Sequence, residues 1–166
     1  MQTNDCGQTK LHLLCRDVRT KTPLQDINVY LNRAKQQNCL DEALMAVDNA
    51  GNTPLLYALA KRAVDEASML LECNRHYGQN DKWCIPLFLH VNKEGKCAFD
   101  YMFTLSKLRG VYVSEHFYKP IKLHTILAIF VAESITIPKG FFMYRETYKE
   151  LRYRQVESEQ FFPYEE

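Results

Sequence analysis

No stretch of this 166-residue chain is apolar for long enough to cross a bilayer. The longest apolar run, Ile126 to Ala132, falls far short of the ~20 residues that a helical span requires. Charge of one sign is not in excess either. A formal net charge of +1 gives no global field for nucleic acid or an anionic membrane. The opening residues, Met1 to Cys6, have no basic segment followed by an apolar one, so no secretory signal is expected, and a cytoplasmic location is. Three enzyme signatures are missing: the Gly-x-x-x-x-Gly-Lys phosphate loop, His-Glu-x-x-His and Gly-x-Ser-x-Gly. The content that remains, 46% hydrophobic and 25% charged, is that of one ordinary globular domain. Six cysteines (Cys6, Cys15, Cys39, Cys73, Cys84 and Cys97) make an even set compatible with a disulfide framework. A domain of this size needs no such staples, and reduced thiols are the preferred reading.

The most informative stretch runs from Asp48 to Ala60, Asp-Asn-Ala-Gly-Asn-Thr-Pro-Leu-Leu-Tyr-Ala-Leu-Ala. Gly51 supplies a positive-φ position for a turn, and Asn49 and Asn52 suit the same turn through local backbone bonds. Thr53 stands as N-cap, and Pro54 at N1 loses no helical hydrogen bond. A short apolar helix, Leu55 to about Lys61, follows. The pattern recurs 44 residues earlier as Gly7-Gln-Thr-Lys-Leu-His-Leu-Leu-Cys15 and 44 residues later, degraded, from Asn92 through Gly95 to Tyr101. A turn with Gly, then Thr-Pro-Leu-His, then a short apolar helix resembles the ankyrin repeat. His12 keeps the family histidine, Leu56 replaces it, and Cys97 to Asp100 stand where the family has Thr-Pro-Leu-His. The period departs from the family's ~33 residues, so each unit is expected to hold roughly ten more in a longer outer helix or return loop.

In chain order, unit one (about 4–47) is predicted to hold an inner helix at about 10–17 and an outer helix at 23–36. Leu24, Ile27, Leu31 and Ala34 form the outer helix's apolar stripe. Leu40 to Ala46 is a candidate extra helical turn. Unit two (48–91) has an inner helix at about 53–61, an outer helix at about 64–73 and a polar loop at 74–82. Trp83 to Val91 is expected to pack as an extended segment. Unit three (92–134) has an inner helix at about 98–108 with Gly110 as its C′ residue, and an outer helix from Pro120 to about Ser134. The latter is the most apolar helix, and the next segment is expected to cover it. Gly140 opens a degenerate terminal half-repeat (135–156), an aromatic capping helix with polar backing. An acidic tail, 157–166, is expected to fray. The fold class is therefore all-α: one ankyrin-like helix-turn-helix stack, an α-solenoid, with a C-terminal capping helix.

Two constellations offer chemistry. Cys73, His76, Cys84, His90 and Cys97 have partly zinc-like spacing, but they fit no tight finger or knuckle, so packed thiols and surface histidines are preferred. Cys15 lies three residues after His12, on one helical face, as a thiolate-forming pair would. The resemblance instead gives His12 a structural role bracing neighbouring loops, and no orienting residue or oxyanion hole can be named. Basic and aromatic residues interleave at Tyr144-Arg145 and from Tyr148 to Arg154. There a capping helix with snorkelling side chains is preferred to a nucleic-acid or lipid contact.

The resemblance implies a protein-binding module whose turn tips and inner helices form a concave face. Carried over position by position, that face is Asp5, Gln8 and Arg16 in unit one, Asn49, Asn52 and Lys61 in unit two, and Lys93, Lys96 and Thr104 in unit three. The implied partner is a protein. No cofactor, metal, nucleic acid or catalysis is expected, and the state is monomeric. Diverged, stretched units in a small chain with a Glu-rich C-terminus (Glu157, Glu159, Glu165, Glu166) also resemble the type IV secreted effectors that bacteria such as Legionella deliver into the host cytosol. The alternative is a small Cys/His enzyme or zinc protein.

Overall fold

The computed structural model describes residues 2–15, 23–75, 85–109 and 123–161. Among these residues the structure is helical, with one isolated bridge between Thr3 and Thr9 and no strand. The described helices are α1 (Lys10–Leu14), α2 (Pro23–Gln36), α3 (Leu40–Met45), α4 (Pro54–Ala60), α5 (Val64–Arg75), α6 (Ile85–Leu89), α7 (Ala98–Arg109), α8 (Leu123–Ala132) and α9 (Lys139–Phe161). None of them is long and apolar enough to cross a membrane.

Three turns punctuate this series, and they are built alike. Asn4, Asp48 and Asn92 stand 44 residues apart. The side-chain oxygen of each accepts the backbone N–H groups two and four residues on: Cys6 and Gln8 at 3.0 and 2.9 Å, Ala50 and Asn52 at 2.9 and 2.8 Å, Glu94 and Lys96 both at 3.0 Å. This is the local side-chain bonding that suits Asn and Asp to turns. The third residue after each is glycine, with φ of 72°, 78° and 75° at Gly7, Gly51 and Gly95. Its N–H closes onto the carbonyl of the Asx residue at 2.9–3.0 Å. The turn role expected of Asn49 and Asn52 thus falls mainly to Asp48, whose side chain at the turn's entry reaches both later N–H groups as Asn4 and Asn92 do, while Asn52 donates back to it.

The turns lie against one another. Asn49 N–H donates to the Cys6 carbonyl (2.9 Å), and Lys93 N–H, one period later, donates to the Ala50 carbonyl (3.0 Å). Close approach explains glycine beyond its φ. A Cβ on Gly51 would lie 3.2 Å from the Lys93 nitrogen, and one on Gly7 would meet the Asn49 nitrogen at 3.0 Å and strike the Asn49 side-chain oxygen. At Gly95 the same atom meets nothing within 4 Å.

Each turn launches a helix, and positions 12, 56 and 100 decide how. Thr53 is the N-cap of α4 as predicted, its hydroxyl accepting Leu56 N–H at 3.3 Å with Pro54 at N1. In α1, His12 reaches back so that Thr9 N–H donates to its Nδ1 (3.2 Å). In α7, Asp100 does the same for Cys97 N–H (2.9 Å). A side chain at N3 that captures the N-cap N–H is a capping box. Leu56 has no such group, and there Thr53 and Pro54 act alone. Helices α2, α4 and α8 end alike, with Asn38, Arg62 and Ser134 at φ of 53°, 61° and 53°. The next residue's N–H returns to the carbonyl five residues back: Cys39 to Ala34, Ala63 to Ala58, Ile135 to Phe130. This is the Schellman closure, made here without glycine.

Helices α1, α4, α7 and α9 lie side by side in that order, and α2 packs beside α5 in a second row. One core joins the rows, with Leu11, Ile27, Leu31, Leu55, Leu59, Leu70, Phe99 and Met102 at most 2% exposed. Its C-terminal end is aromatic. Phe99 stacks on Phe88 (5.2 Å between centroids) and meets Phe141 edge-on (5.0 Å), and Phe141 meets Phe130 at 5.5 Å. Such pairs contribute about 0.5–1.5 kcal/mol each beyond area burial.

The long period has a specific source. Helices α3 and α6 occupy equivalent places, so two successive units each contain a third short helix. The segment around Leu87 and Phe88 is therefore helical and not extended, because both side chains are buried (3% and 2% exposed) and Pro86 falls in a first turn that needs no N–H from it. Helix α1 stops at Leu14, short of the expected 17. Gly140 is helical and opens no turn: the chain passes from α8 to α9 in six residues, and Gly140 lies on Asp100 at the start of α7, where a Cβ would be 2.9 Å from the Asp100 nitrogen. The expected cover of α8 is present in part, through Phe130 and Phe141, while Val131 remains 68% exposed. Helix α9 continues to Phe161, so the first five residues of the expected tail are helical. Gly110, the polar loop at 76–82 and the link at 111–118 lie outside the described residues.

Alanine at the three turn glycines separates φ from contact. Gly95→Ala is expected to cost roughly 1–2 kcal/mol, the left-handed term alone, and Gly51→Ala and Gly7→Ala more. Urea midpoints of the three variants check the order.

Candidate functional site

Each turn leads directly into α1, α4 or α7, and the middle turn is braced by histidine. Thr9 N–H is an obligate donor, so His12 Nδ1 accepts, which places the ring proton on Nε2. That group donates to the Asn52 carbonyl at 2.9 Å. From the other side, His90 Nε2 donates to the Gly51 carbonyl at 2.8 Å. The middle turn is thus held by two imidazoles, His12 from unit one and His90 from the end of unit two itself. Burial lowers the His12 pKa below its ordinary value, against the smaller opposing effects of the Asn52 bond and nearby Asp48.

The site residues predicted from sequence divide by what their side chains do. Asn49 is exposed, yet its Nδ2 donates to the Asp5 carbonyl (2.9 Å) and ties turn two to turn one. Asn52 gives Nδ2 to Asp48 (3.3 Å) and takes Asn92 Nδ2 on its Oδ1 (2.9 Å), so it bonds within the turns on both sides. Gln8 is half-buried and receives Asn4 Nδ2 (3.1 Å), and Thr104 donates to the Asp100 carbonyl of its own helix (3.0 Å). Asp5, Lys61, Lys93 and Lys96 are exposed, and Lys96 pairs with Glu94 at 2.9 Å. Arg16 lies outside the described residues.

Sequence reasoning missed a row of residues beside the turns. Leu13, Tyr57 and Tyr101 stand 44 residues apart, one place after His12, Leu56 and Asp100. Tyr57 meets His12 edge-on at 5.8 Å, and the Tyr101 hydroxyl accepts Asn92 Nδ2 at 3.0 Å, which sets it against turn three. Lys61 Nζ lies 5.7 Å from the centre of the Tyr57 ring and Lys96 Nζ 5.6 Å from that of Tyr101, within cation–π range. The 44-residue period that located the turns also carries this row.

Comparison of the chain with protein-family models, curated proteins and solved structures gives no match. The site therefore rests on its own geometry.

The other constellations separate. Both ring nitrogens of His12 are engaged, leaving none to take a proton from Cys15, whose thiol is fully buried and pushed up to about 12 by desolvation. Of the zinc-like set, His90 bonds the Gly51 carbonyl, and the Cys97 thiol is buried, pushed up to about 11 mainly by desolvation. The side chains of Cys73, His76 and Cys84 lie outside the described residues. Among the described residues no three His, Cys, Asp or Glu side chains converge on a metal position. In the basic-aromatic segment Tyr144 is fully buried and Lys149 pairs with Glu146 at 3.0 Å, which fits a capping helix.

Two outcomes follow from these environments. A histidine whose pKa is lowered by folding contributes stability that is full above its unfolded pKa of ~6.5 and is lost as pH falls through the folded value. His12→Leu, which copies Leu56, is expected to be less stable than the parent by roughly 1–2 kcal/mol at about pH 7.5. That gap should narrow by about pH 5 in urea titrations, because only the parent must protonate a buried ring on unfolding. In native-state thiol labelling, exposed Cys6 should react ahead of buried Cys15 and Cys97, whose labelling should require unfolding.

Proposed function

We propose that this chain is an ankyrin-like stack of stretched repeats that binds a partner protein in the concave elbow between its turns and inner helices, without catalysis. The observation that carries the reading is the in-register ladder of three Asx–Gly turns, each launching an inner helix beside the last. A period of 44 then means a family unit with a third helix added behind the binding face, which leaves the spacing of turns and inner helices unaffected. The histidine braces support it too. They hold the middle turn rigid, and a preorganised surface loses less ordering entropy when it binds.

Delivery of the protein as a bacterial effector remains part of the proposal at the level of resemblance, carried by the Glu-rich C-terminus.

The test is capture from a host-type cell lysate by the parent and by a Lys61→Glu/Lys93→Glu/Lys96→Glu variant, with circular dichroism confirming that both are folded. A partner retained by the parent and lost by the folded variant is the expected result. Equal retention by both moves the binding site away from the elbow.

A further inference from the structure

We propose that this chain pairs with a second copy of itself through one flank of α2, in a two-fold arrangement that sets Asp26 of each copy against Arg33 of the other. The pairing needs only α1 and α2 and stands apart from the elbow as a binding face.

A cavity of about 310 Å³ lies between α1 and α2, lined by Lys10 and Leu14 of α1 and by Asp26, Val29, Tyr30 and Arg33 of α2. The four from α2 fall at i, i+3, i+4 and i+7, so they form one stripe of the helix. It is separate from the buried stripe of Ile27, Leu31 and Ala34 that joins the core. Its middle is Val29, 57% exposed, beside half-buried Tyr30. Its ends are charged. Among the described residues, no ion pair or side-chain hydrogen bond engages Lys10, Asp26 or Arg33.

The two ends of the stack differ. At one, α9 packs on α7 and closes the core with Phe141 and Tyr144. At the other, α1 and α2 pack on α4 and α5, and no capping helix stands beyond them among the described residues. Stacked repeats ordinarily give such an end a polar outer face. Here Val29 stands in the open there instead.

The order of the charges selects the occupant. Along α2 the stripe reads carboxylate, apolar, aromatic, cation, and a two-fold axis between Val29 and Tyr30 makes it its own complement. Seven residues of helix set Asp26 ~10 Å from Arg33. An antiparallel copy of α2 therefore meets both charges at once and lays its own Val29 and Tyr30 on the apolar centre. Counted whole, the flank is neutral and favours neither a wholly acidic nor a wholly basic partner. Lys10 adds a cation. Glu42 of α3 adds a carboxylate near the Tyr30 hydroxyl, whose pKa is raised first by burial and then by Cys39 and Glu42. Helices α1 and α2 pack together across a link of eight residues and so run antiparallel, which sets Lys10 towards the Arg33 end, beside the incoming Asp26.

The test is sedimentation equilibrium of the full chain, with thiols kept reduced, over a range of concentrations. One helical stripe is small beside the ~1,000 Å² of a firm interface, so the mass is expected to climb from 19.5 kDa towards twice that value only above about 10 µM. Asp26→Arg and Arg33→Asp, each alone, place like charges in both pairs and should weaken pairing about tenfold or more with unchanged dichroism spectra. Mixed in equal amounts, the two variants regain opposite charges in both pairs and should associate with each other as the parent does with itself. Should either single variant fold poorly, the double exchange Asp26→Arg/Arg33→Asp carries the same test: it should pair with itself and not with the parent. A mass of 19.5 kDa at every concentration overturns the proposal. So do single variants that pair like the parent, a mixture that pairs no better than its components, or a double exchange that pairs with the parent as readily as with itself.

Discussion

The ladder between the turns sets the register for everything behind it. One backbone bond joins each turn to the next, Asn49 to Cys6 and Lys93 to Ala50, and the helices inherit that spacing because each begins three residues after its glycine. Two local conditions make the ladder possible. An Asx side chain must fold the turn onto itself, and the residue three places on must accept positive φ without a Cβ in the path of the neighbouring strand of chain. A side chain at Gly7 or Gly51 would push adjacent turns apart, and the inner helices, packed at ordinary interhelical distance, could not follow without opening the core.

The same ladder accounts for the way the stack closes. At Gly95 no described atom lies within 4 Å of where a Cβ would stand, and α9 packs beside α7 with Gly140 against Asp100. The terminal unit keeps an inner helix and omits the turn that would precede it. Aromatic volume fills the space: Phe99, Phe130, Phe141 and Tyr144 are all fully buried where the earlier units use leucine and alanine. The third helices α3 and α6 take up the extra length of the units, α3 packing on α2 and α4, and α6 on α7.

Much of the frame was legible in the sequence. The glycines at 7, 51 and 95, the Thr53-Pro54 helix start and the 3.6-residue stripe of α2 each depend on residues within about four positions of one another, and local rules read them correctly. The elbow was legible only in part. Lys61, Lys93 and Lys96 are exposed as expected, whereas Asn49 and Asn52 bond to residues in neighbouring turns, a commitment that no single-unit pattern displays. Tyr57 and Tyr101 were in plain register with the turns, and their contacts with Lys61 and Lys96 are local, whereas the edge-on contact of buried Tyr57 with His12 depends on how two helices lie together.

By itself, then, the sequence determined where the chain turns and where helices begin, since positive φ, Asx bonding and N-capping are settled between near neighbours. Only the tertiary structure decided what those pieces are used for. His12 became a brace and not a base because the Asn52 carbonyl, 40 residues away, sits opposite its Nε2. His90 Nε2 is likewise committed to the Gly51 carbonyl, 39 residues away. The segment at 85–89 became a helix because the core had room for Leu87 and Phe88 on one side of it. Each of these outcomes turns on a partner brought close by packing, and short-range propensity holds no information about partners that far along the chain.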